Sequence, residues 1–255
     1  MSKKYSVSNI SGQSENAMEA IFPFLTGNET DGFKFLATGS FIHPYGGFVT
    51  AAHVLLEKDG SLVDPLIAVH LDINGNPLVR HFTKENFSID KKADIAFGLL
   101  GHPVNIESKA RVENPYFIMS ASKILVSDPI KTGAYPLSNI EKIDDQQIGE
   151  FKLDWFDGVI TEAHPNGRDK TLLPGACYRT DMHIMSGASG GPVFNKDGLL
   201  IGVNSTGIDF TSEDENPPLS YITPIDEIFG LAVRTESGGI KTILELCNEG
   251  YLKLQ

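Results

Sequence analysis

Three residues of this chain have the types and the order that acyl transfer by a serine requires: His53, Asp94 and Ser189. A serine hydroxyl is a weak nucleophile until an imidazole accepts its proton, and a carboxylate on the other ring nitrogen orients that imidazole. Ser189 lies in a G-A-S-G-G-P segment at residues 187–192, in which the glycines allow a tight turn. Such a turn can present backbone N–H groups to a developing oxyanion. We expect those donors to be the N–H groups of Gly187, Ala188 and Ser189.

The order of these residues separates two classes of enzyme. In the G-x-S-x-G turn of an α/β-hydrolase, the acid and then the histidine follow the serine along the chain. All seven histidines of this chain precede Ser189, and the last of them is His183. The order His53, Asp94, Ser189 therefore excludes an esterase or lipase of that type. It is the order found in enzymes whose histidine and acid come first.

Taken separately, the histidine and aspartate motifs are weak, and the serine motif is moderately specific. An isolated histidine beside an apolar strand, as His53 is, usually has a structural role. An Asp before a strand, as Asp94 is, is often a turn residue. Glycine-rich turns that hold a serine also occur by chance. Their presence together, in the required order, favours a catalytic site.

Short strands dominate the segments that must position these residues. Apolar runs bounded by Gly, Asn, Asp and Pro predict strands, and Asn74-Gly75-Asn76 predicts a hairpin turn. Residues 105–118 are mixed and charged, and we expect a linker there. The predicted strands cover residues 17–25, 33–42, 48–51, 65–71, 78–82, 94–100, 123–126, 152–163, 171–184, 192–195 and 199–206.

Helical patterns occur only near the end of the chain. Residues 224–233 predict a short helix capped by Thr223, with Pro224 at its first position. A second helix is predicted from apolar residues at helical spacing, which would form one face. These residues are Ile240, Ile243, Leu244, Cys247 and Tyr251.

With these motifs the chain resembles the chymotrypsin-like (trypsin-fold) serine endopeptidases over roughly residues 17–229. Thr50-Ala51-Ala52-His53 matches the histidine motif of that family, Asp94-Ile95-Ala96 matches the aspartate motif, and residues 187–192 match the serine motif. The resemblance implies an all-β fold of two six-stranded Greek-key barrels, with the active site at their interface and short helices at the C-terminus. It also implies hydrolysis of peptide bonds through an acyl-enzyme, without a cofactor or metal.

The same resemblance gives expected domain boundaries. Residues 1–16 would form a flexible extension, and residues 17–229 the peptidase domain. Within that domain, barrel one would cover about 17–104, the linker about 105–120 and barrel two about 121–229. Residues 230–255 would form a helical extension, which is too short for a PDZ domain.

The resemblance assigns substrate-binding positions as well. Residues 202–207 match the strand that pairs with the substrate backbone, with Ser205 near Asp94 and Ser205, Thr206 and Gly207 beside the substrate. His183, six positions before the nucleophile, stands at the pocket floor, where trypsin-like members have Asp. Because of His183, a preference for Arg or Lys is not supported. The cleavage preference stays open, although Asn204, Thr206, His183 and Leu219 suggest a moderately polar pocket.

The chain also departs from the secreted digestive members. Ala188 stands where those members carry the Asp that receives a new N-terminal ammonium, so we expect no activation by N-terminal cleavage. Val54 after His53, and Met185 and Ser186 before Gly187, replace the cysteines that flank the motifs of those members. In these respects the chain is closer to bacterial high-temperature-requirement proteases or glutamyl endopeptidases.

Composition limits the partners and the compartment. The net charge of −12 argues against nucleic acid and anionic membranes. No apolar run approaches the roughly 20 residues of a membrane helix, and the N-terminal residues lack the apolar core of a signal peptide. We expect a cytoplasmic protein with free thiols at Cys177 and Cys247. Its partners would be a protein or peptide substrate and a regulatory protein. The alternative is an inactive relative kept as a binding module.

Overall fold

The computed structural model describes residues 6–9, 11, 16–28, 30–71, 77–101, 113–136, 138–143, 146–208, 219–235 and 238–255. Strands dominate this part of the chain. In chain order they are β1 Val7–Ser8, β2 Ile21–Asn28, β3 Gly32–Phe41, β4 Gly47–Thr50, β5 Leu66–Leu71, β6 Pro77–Asp90, β7 Ile95–Leu100, β8 Tyr116–Phe117, β9 Pro129–Ala134, β10 Asn139–Ile143, β11 Gln146–Glu150, β12 Asp154–His164, β13 Cys177–Thr180, β14 Pro192–Phe194, β15 Leu200–Ile208, β16 Leu219–Pro224, β17 Ala232–Arg234 and β18 Ile240–Thr242.

Helical structure in the described residues is short. Three 3-10 helices cover Ala17–Ala20, Ala52–Leu55 and Ile225–Ile228, and one α-helix, α1, covers Ile243–Asn248. None of these helices is long and apolar enough to cross a membrane.

Barrel one is a closed sheet of six antiparallel strands in the order β2-β3-β4-β7-β6-β5. Its interior is aromatic: Phe22, Phe24, Phe41 and Phe48 are all fully buried, with ring centroids 4.5–6.1 Å apart. Phe22 and Phe24 are two positions apart on β2, so both point to the same face of the strand. Each such burial contributes about 1.5–3 kcal/mol to folding. This core stabilises β4 and β7, the strands next to which His53 and Asp94 lie.

Barrel two closes in the order β12-β13-β16-β15-β14-β9. Counted in chain order from β9, the strands of barrel two are connected as in barrel one, since in both barrels the third strand pairs with the sixth. Its core is aliphatic rather than aromatic and includes Ile130, Ile160, Val193, Ile201 and Ile222. The two cores therefore share a topology without sharing side chains.

The two barrels are joined by a third apolar cluster. It brings Ile21, Val49 and Ile95 of barrel one together with Phe194 and Val203 of barrel two. The expected all-β fold of two six-stranded barrels is confirmed.

Several expected elements are wrong in extent. Residues 17–20 form a 3-10 helix before β2, capped by the Asn16 side chain. Residues 123–126 are not a strand, because a turn follows at Ser127 (φ 74°), and the first strand of barrel two is β9. The segment 171–184 contributes only β13. The turn at Asn74-Gly75-Asn76 lies outside the described residues, as does most of the linker at 105–118.

The ends of the chain also differ from the expectation. Part of the expected flexible extension is ordered, since Val7 and Ser8 pair with β8. Pro224 caps the 3-10 helix Ile225–Ile228 instead of starting a longer one. The hydroxyl of Thr223 is not available as a cap, because it donates to the Ala93 carbonyl in barrel one (2.8 Å).

The predicted apolar face from Ile240 to Tyr251 is wrong. Ile240 lies on β18 and is 73% exposed, while Tyr251 lies beyond α1 and is 61% exposed. The helix begins only after Thr242, whose side chain forms a capping box with Glu245. Most of the expected helical extension is therefore the hairpin β17–β18 and a six-residue helix.

Candidate active site

His53 and Asp94 are brought together by a pair of neighbouring strands. β4 and β7 are antiparallel partners, with Thr50 opposite Ala96. His53 lies in the 3-10 helix that follows β4, and Asp94 directly precedes β7, so both lie at the same end of the pair. Asp94 adopts a positive φ of 56°, which is uncommon for a residue with a side chain. The expected pairing of these two residues is present in the structure.

The contact between the two side chains has the geometry of a histidine oriented by a carboxylate. His53 Nδ1 lies 3.0 Å from Asp94 Oδ1 and 2.9 Å from Oδ2. The backbone N–H of His53 also donates to Oδ1, at 3.0 Å. One carboxylate therefore holds both the backbone and the ring of His53. The ring nitrogen Nε2 is left for the substrate side.

The two groups shift each other's pKa. Burial alone would lower the pKa of His53, but the hydrogen bond and the negative charge of Asp94 outweigh it, so the pKa lies above the ordinary 6.5. Burial would raise the pKa of Asp94, but hydrogen bonds from His53 and Ser205 and the charge on His53 hold it below its ordinary range. Asp94 is therefore ionised near neutral pH, as an orienting acid must be.

Ser205 links Asp94 to the turn at residues 187–192 that carries Ser189, which we call the nucleophile turn. Its hydroxyl donates to Asp94 Oδ2, and its backbone carbonyl accepts a hydrogen bond from Ser189 Oγ (3.2 Å). Ser205 lies on β15 in barrel two, whereas Asp94 belongs to barrel one. The expectation that Ser205 lies near Asp94 agrees with this contact.

The turn that carries Ser189 is built on glycines with positive φ. Gly187 has φ 89° and Gly190 has φ 79°. The Ala188 N–H donates to the Met185 carbonyl (3.1 Å) and is used within the turn. Ala188 must therefore be removed from the expected oxyanion donors. The N–H groups of Gly187 and Ser189 donate to no protein acceptor in the part of the chain that the structure describes.

Residues of barrel one pack against this turn. A Cβ placed on Gly190 would lie 1.9 Å from Thr50 Oγ1 and 2.3 Å from the Thr38 carbonyl. Only glycine allows this approach to the strand that leads into His53. The N–H of Thr38 also donates to the Ser189 carbonyl, at 3.0 Å. These contacts bring Ser189 to the side of the interface where His53 and Asp94 lie.

The Ser189 hydroxyl is oriented towards Ser205 and not towards His53. Among the described residues, the only hydrogen bond of Ser189 Oγ is the one to the Ser205 carbonyl. In proteins without bound substrate, catalytic hydrogen bonds are often long and tighten only in the complex. The site therefore contains all three groups, with the Ser189 hydroxyl turned towards the Ser205 carbonyl.

The remaining candidate residues fall into two groups. His183 and Gly207 are exposed, and Thr206 is half-buried. A Cβ on Gly207 would lie 2.5 Å from the Ile184 carbonyl, so the end of β15 packs against the segment that carries His183. The end of β15 and the segment of His183 therefore lie side by side.

Asn204 does not line a substrate pocket, where it was expected. It is fully buried, and its Nδ2 donates to Thr132 Oγ1 (2.8 Å) and to the Ala188 carbonyl (3.2 Å). Its side chain supports the nucleophile turn from inside barrel two and does not line a pocket. The sequence analysis missed Thr38 and Thr132, because a buried threonine on a strand has no distinguishing pattern.

No group of three or more His, Cys, Asp or Glu in the described ranges could hold a metal ion. Cys177 and Cys247 are both free, and burial raises the pKa of Cys247 to about 11.

Comparison with known proteins agrees with this geometry. Residues 37–203 match the family model of the trypsin-like peptidase domain. The chain belongs to this family. A probable periplasmic serine endoprotease DegP-like from Pseudomonas fulva (strain 12-X) is 27% identical in an alignment 135 residues long, and the match covers 46% of this chain and 28% of that protein. The chain thus matches well under a third of the length of this curated relative.

Two solved structures share the fold. Deg5 superposes with a TM-score of 0.56 and 19% identity, over 83% of this chain and 86% of Deg5. The HtrA-type protease AlgW with a decapeptide gives a TM-score of 0.56 and 17% identity, over 83% of this chain and 62% of AlgW. The expected similarity to bacterial high-temperature-requirement proteases is therefore confirmed at the level of fold.

Proposed function

We propose that this trypsin-like peptidase is an active serine endopeptidase that uses Ser189 as nucleophile, His53 as general base and Asp94 as the acid that orients His53. The observation that carries the proposal is the paired geometry of His53 and Asp94 beside a glycine turn with two unused N–H groups. A histidine with only a structural role would not need a carboxylate on Nδ1 and a nucleophile turn across the interface.

Substrate would bind as an added strand along β15. β14 pairs with β15 only as far as Val203, so in the described part of the chain no strand pairs with Ser205, Thr206 and Gly207 on that side. Backbone groups of an extended peptide can pair with such an edge. An incoming peptide N–H would compete for the Ser205 carbonyl, which now accepts from Ser189 Oγ. Substrate would thereby release the hydroxyl to turn towards His53.

The reaction then follows in two steps. Ser189 Oγ attacks the peptide carbonyl while His53 Nε2 takes its proton, and the N–H groups of Gly187 and Ser189 stabilise the oxyanion. His53 gives the proton to the leaving amine, so the C–N bond breaks and an acyl-enzyme remains. Water, deprotonated by His53, hydrolyses the ester and restores Ser189. No cofactor or metal takes part in this scheme.

The second candidate is a catalytically inactive module that binds peptides. It is favoured by the orientation of the Ser189 hydroxyl, which donates to the Ser205 carbonyl. Such a module would bind peptides along β15 without forming a covalent intermediate. The two candidates differ in whether Ser189 can be acylated or phosphonylated.

Regulation and compartment belong to the same proposal. Ala188 is fully buried and carries no charge. A buried ammonium would find no partner there, so N-terminal cleavage would not activate the protein. We propose an intracellular enzyme whose turn at Gly187 is ordered by substrate or by a regulatory protein. Free Cys177 and Cys247 are consistent with a reducing compartment.

Labelling with a fluorophosphonate tests the proposal directly. The probe reacts with a serine only when a neighbouring base activates it. We expect one adduct per chain on Ser189, none in Ser189→Ala, and normal labelling in Ser186→Ala. Ser186 is an exposed serine in the same segment and serves as the matched control. A folded protein that binds peptides but is never labelled would establish the inactive module instead.

A further inference from the structure

Thr38 is a fully buried residue of β3 whose hydrogen bonds lead out of its own barrel. Its partner on β2 is Pro23, which has no N–H to donate. The Thr38 carbonyl instead accepts from Thr50 Oγ1, at 2.8 Å, and its N–H donates to the Ser189 carbonyl, at 3.0 Å. The backbone of Thr38 is thus committed to the nucleophile turn and to the strand before His53.

The hydroxyl of Thr38 makes a second connection to the same turn. It lies 3.0 Å from the Gly187 carbonyl and accepts from the backbone N–H of Tyr135 at 3.1 Å. A carbonyl can only accept, so the hydroxyl proton must point to Gly187. Tyr135 directly follows β9 of barrel two. One hydroxyl of barrel one therefore joins two segments of barrel two.

The Gly187 carbonyl matters because of its neighbour. The N–H of Gly187 is one of the two proposed oxyanion donors, it has no acceptor among the described residues, and Gly187 has φ 89° with no side chain to restrict it. In the described residues, Thr38 is the only hydrogen-bond donor to this carbonyl. This carbonyl belongs to the Gly187–Ala188 peptide plane, which the Ala188 N–H bond to Met185 also holds, whereas the Gly187 N–H lies in the preceding plane. Loss of the Thr38 bond weakens the restraint on rotation about Gly187, and that rotation can turn its N–H away. Threonine is stiff at χ1, so the hydroxyl itself is held in place.

We infer that Thr38 is a positioning residue that fixes the oxyanion donor of Gly187 from the opposite barrel. The inference rests on the proposed endopeptidase function and extends it to a residue that touches neither substrate nor the reacting atoms. The bond from Thr38 should stabilise the transition state more than the bound substrate, because the Gly187 N–H bonds most strongly to the oxyanion that forms in the transition state.

Kinetics of Thr38→Val test this role, since valine keeps the shape of threonine and removes the hydroxyl. We expect kcat to fall ~10- to 100-fold with KM changed less than about 3-fold, because only oxyanion stabilisation is weakened. Thr38→Ser should restore kcat to within about 3-fold of wild type, since the donor returns. The affinity for a peptide aldehyde, which forms an oxyanion, should fall in parallel with kcat. The affinity for the cleaved peptide should not change.

Thr26→Val is the matched control. The Thr26 hydroxyl donates to the Pro65 carbonyl at 2.8 Å, and among the described residues it has no hydrogen bond to the turn. The Thr26→Val substitution should lower the melting temperature without changing kcat. If Thr38→Val behaved in the same way, Thr38 would be only structural and the inference would be overturned. Should Thr38→Val not fold, Thr38→Cys removes most of the donor strength. Unchanged kcat in that variant would also overturn the inference.

Hydrogen exchange gives a test that needs no activity. In a Ser189→Ala background, Thr38→Val should speed amide exchange in peptides covering residues 185–191 by at least ~10-fold, since the turn loses a tether. Thr26→Val should leave those peptides unchanged. Equal exchange in both variants would contradict the role of Thr38. A wild-type protein that neither cleaves nor labels would instead refute the proposed function, while the exchange result would still decide on Thr38.

Discussion

The two halves of the site are held in different ways. His53 and Asp94 belong to neighbouring strands of one barrel, and three contacts of 2.9–3.0 Å between them are already formed. Ser189 belongs to a turn in the other barrel whose glycines impose little restriction. Its hydroxyl donates to the Ser205 carbonyl rather than to His53.

This difference shows that the proposed base and the proposed nucleophile are held to different degrees. The His53 imidazole is already oriented by Asp94. The nucleophile turn relies on outside supports, which are the Thr38 backbone and hydroxyl from barrel one and the Asn204 side chain from behind. Changes in the first half should therefore act on the chemistry directly. Changes in the second half should act through the geometry of the turn.

Removal of a reacting group should have the largest effect. Ser189→Ala and His53→Ala should each lower kcat/KM by at least ~10⁴-fold, and the double variant should be little worse, because the residues act as a unit. Steady-state hydrolysis of a peptide substrate measures this, with circular dichroism as the check on folding. Near-normal hydrolysis by a folded Ser189→Ala protein would remove Ser189 from the mechanism.

Gly190→Ala should have the next largest effect. The added Cβ would collide with Thr50 Oγ1 and the Thr38 carbonyl, and the positive φ of 79° disfavours a side chain. We expect a loss of stability of about 3 kcal/mol and a fall in kcat of ~100-fold as the turn shifts. Gly230→Ala is the matched control, because a Cβ there meets no atom within 4 Å. Urea unfolding and kcat should not change in that variant.

Asn204→Leu sharpens the distinction between a support and a pocket wall. It removes the Nδ2 donor from Thr132 Oγ1 and from the Ala188 carbonyl, which keeps only its bond from the Gly191 N–H, and this should cost about 1–3 kcal/mol of stability. We expect kcat to fall ~10-fold, with the order of preference among peptide substrates unchanged. Profiling with a peptide library measures that preference. A changed preference with unchanged kcat would return Asn204 to the pocket.

The pH profile tests the half that is already formed. Only neutral His53 can accept the serine proton, and its pKa is raised above 6.5 by Asp94. Activity should therefore be present above that raised pKa and should fall about tenfold per pH unit below it. In Asp94→Asn the residual activity should have its acid limb at lower pH, because the cause of the raised pKa is gone. An acid limb that does not move in Asp94→Asn would argue that another group titrates.

The sequence and the structure agree best where the chemistry needs a fixed residue type in a fixed order. His53, Asp94 and Ser189 could be found in this way, and the barrels followed from short strands and from the family resemblance. Supports such as Thr38, Thr132 and Asn204 could not be found, because strand pairing across two barrels decides what a buried polar side chain contacts. The C-terminal pattern failed for a local reason, since the capping box at Thr242 starts the helix after Ile240.

The central claim is that His53 and Ser189, from different barrels, act together on one bound substrate. A panel of peptidyl chloromethyl ketones tests it most directly, because serine adds to the ketone and the histidine is then alkylated. We predict one adduct per chain on His53 Nε2 by tandem mass spectrometry. Alkylation should be slowed at least ~100-fold in Ser189→Ala and unaffected in Ser186→Ala. Alkylation at another residue, or at the same rate in Ser189→Ala, would contradict a site assembled from the two barrels.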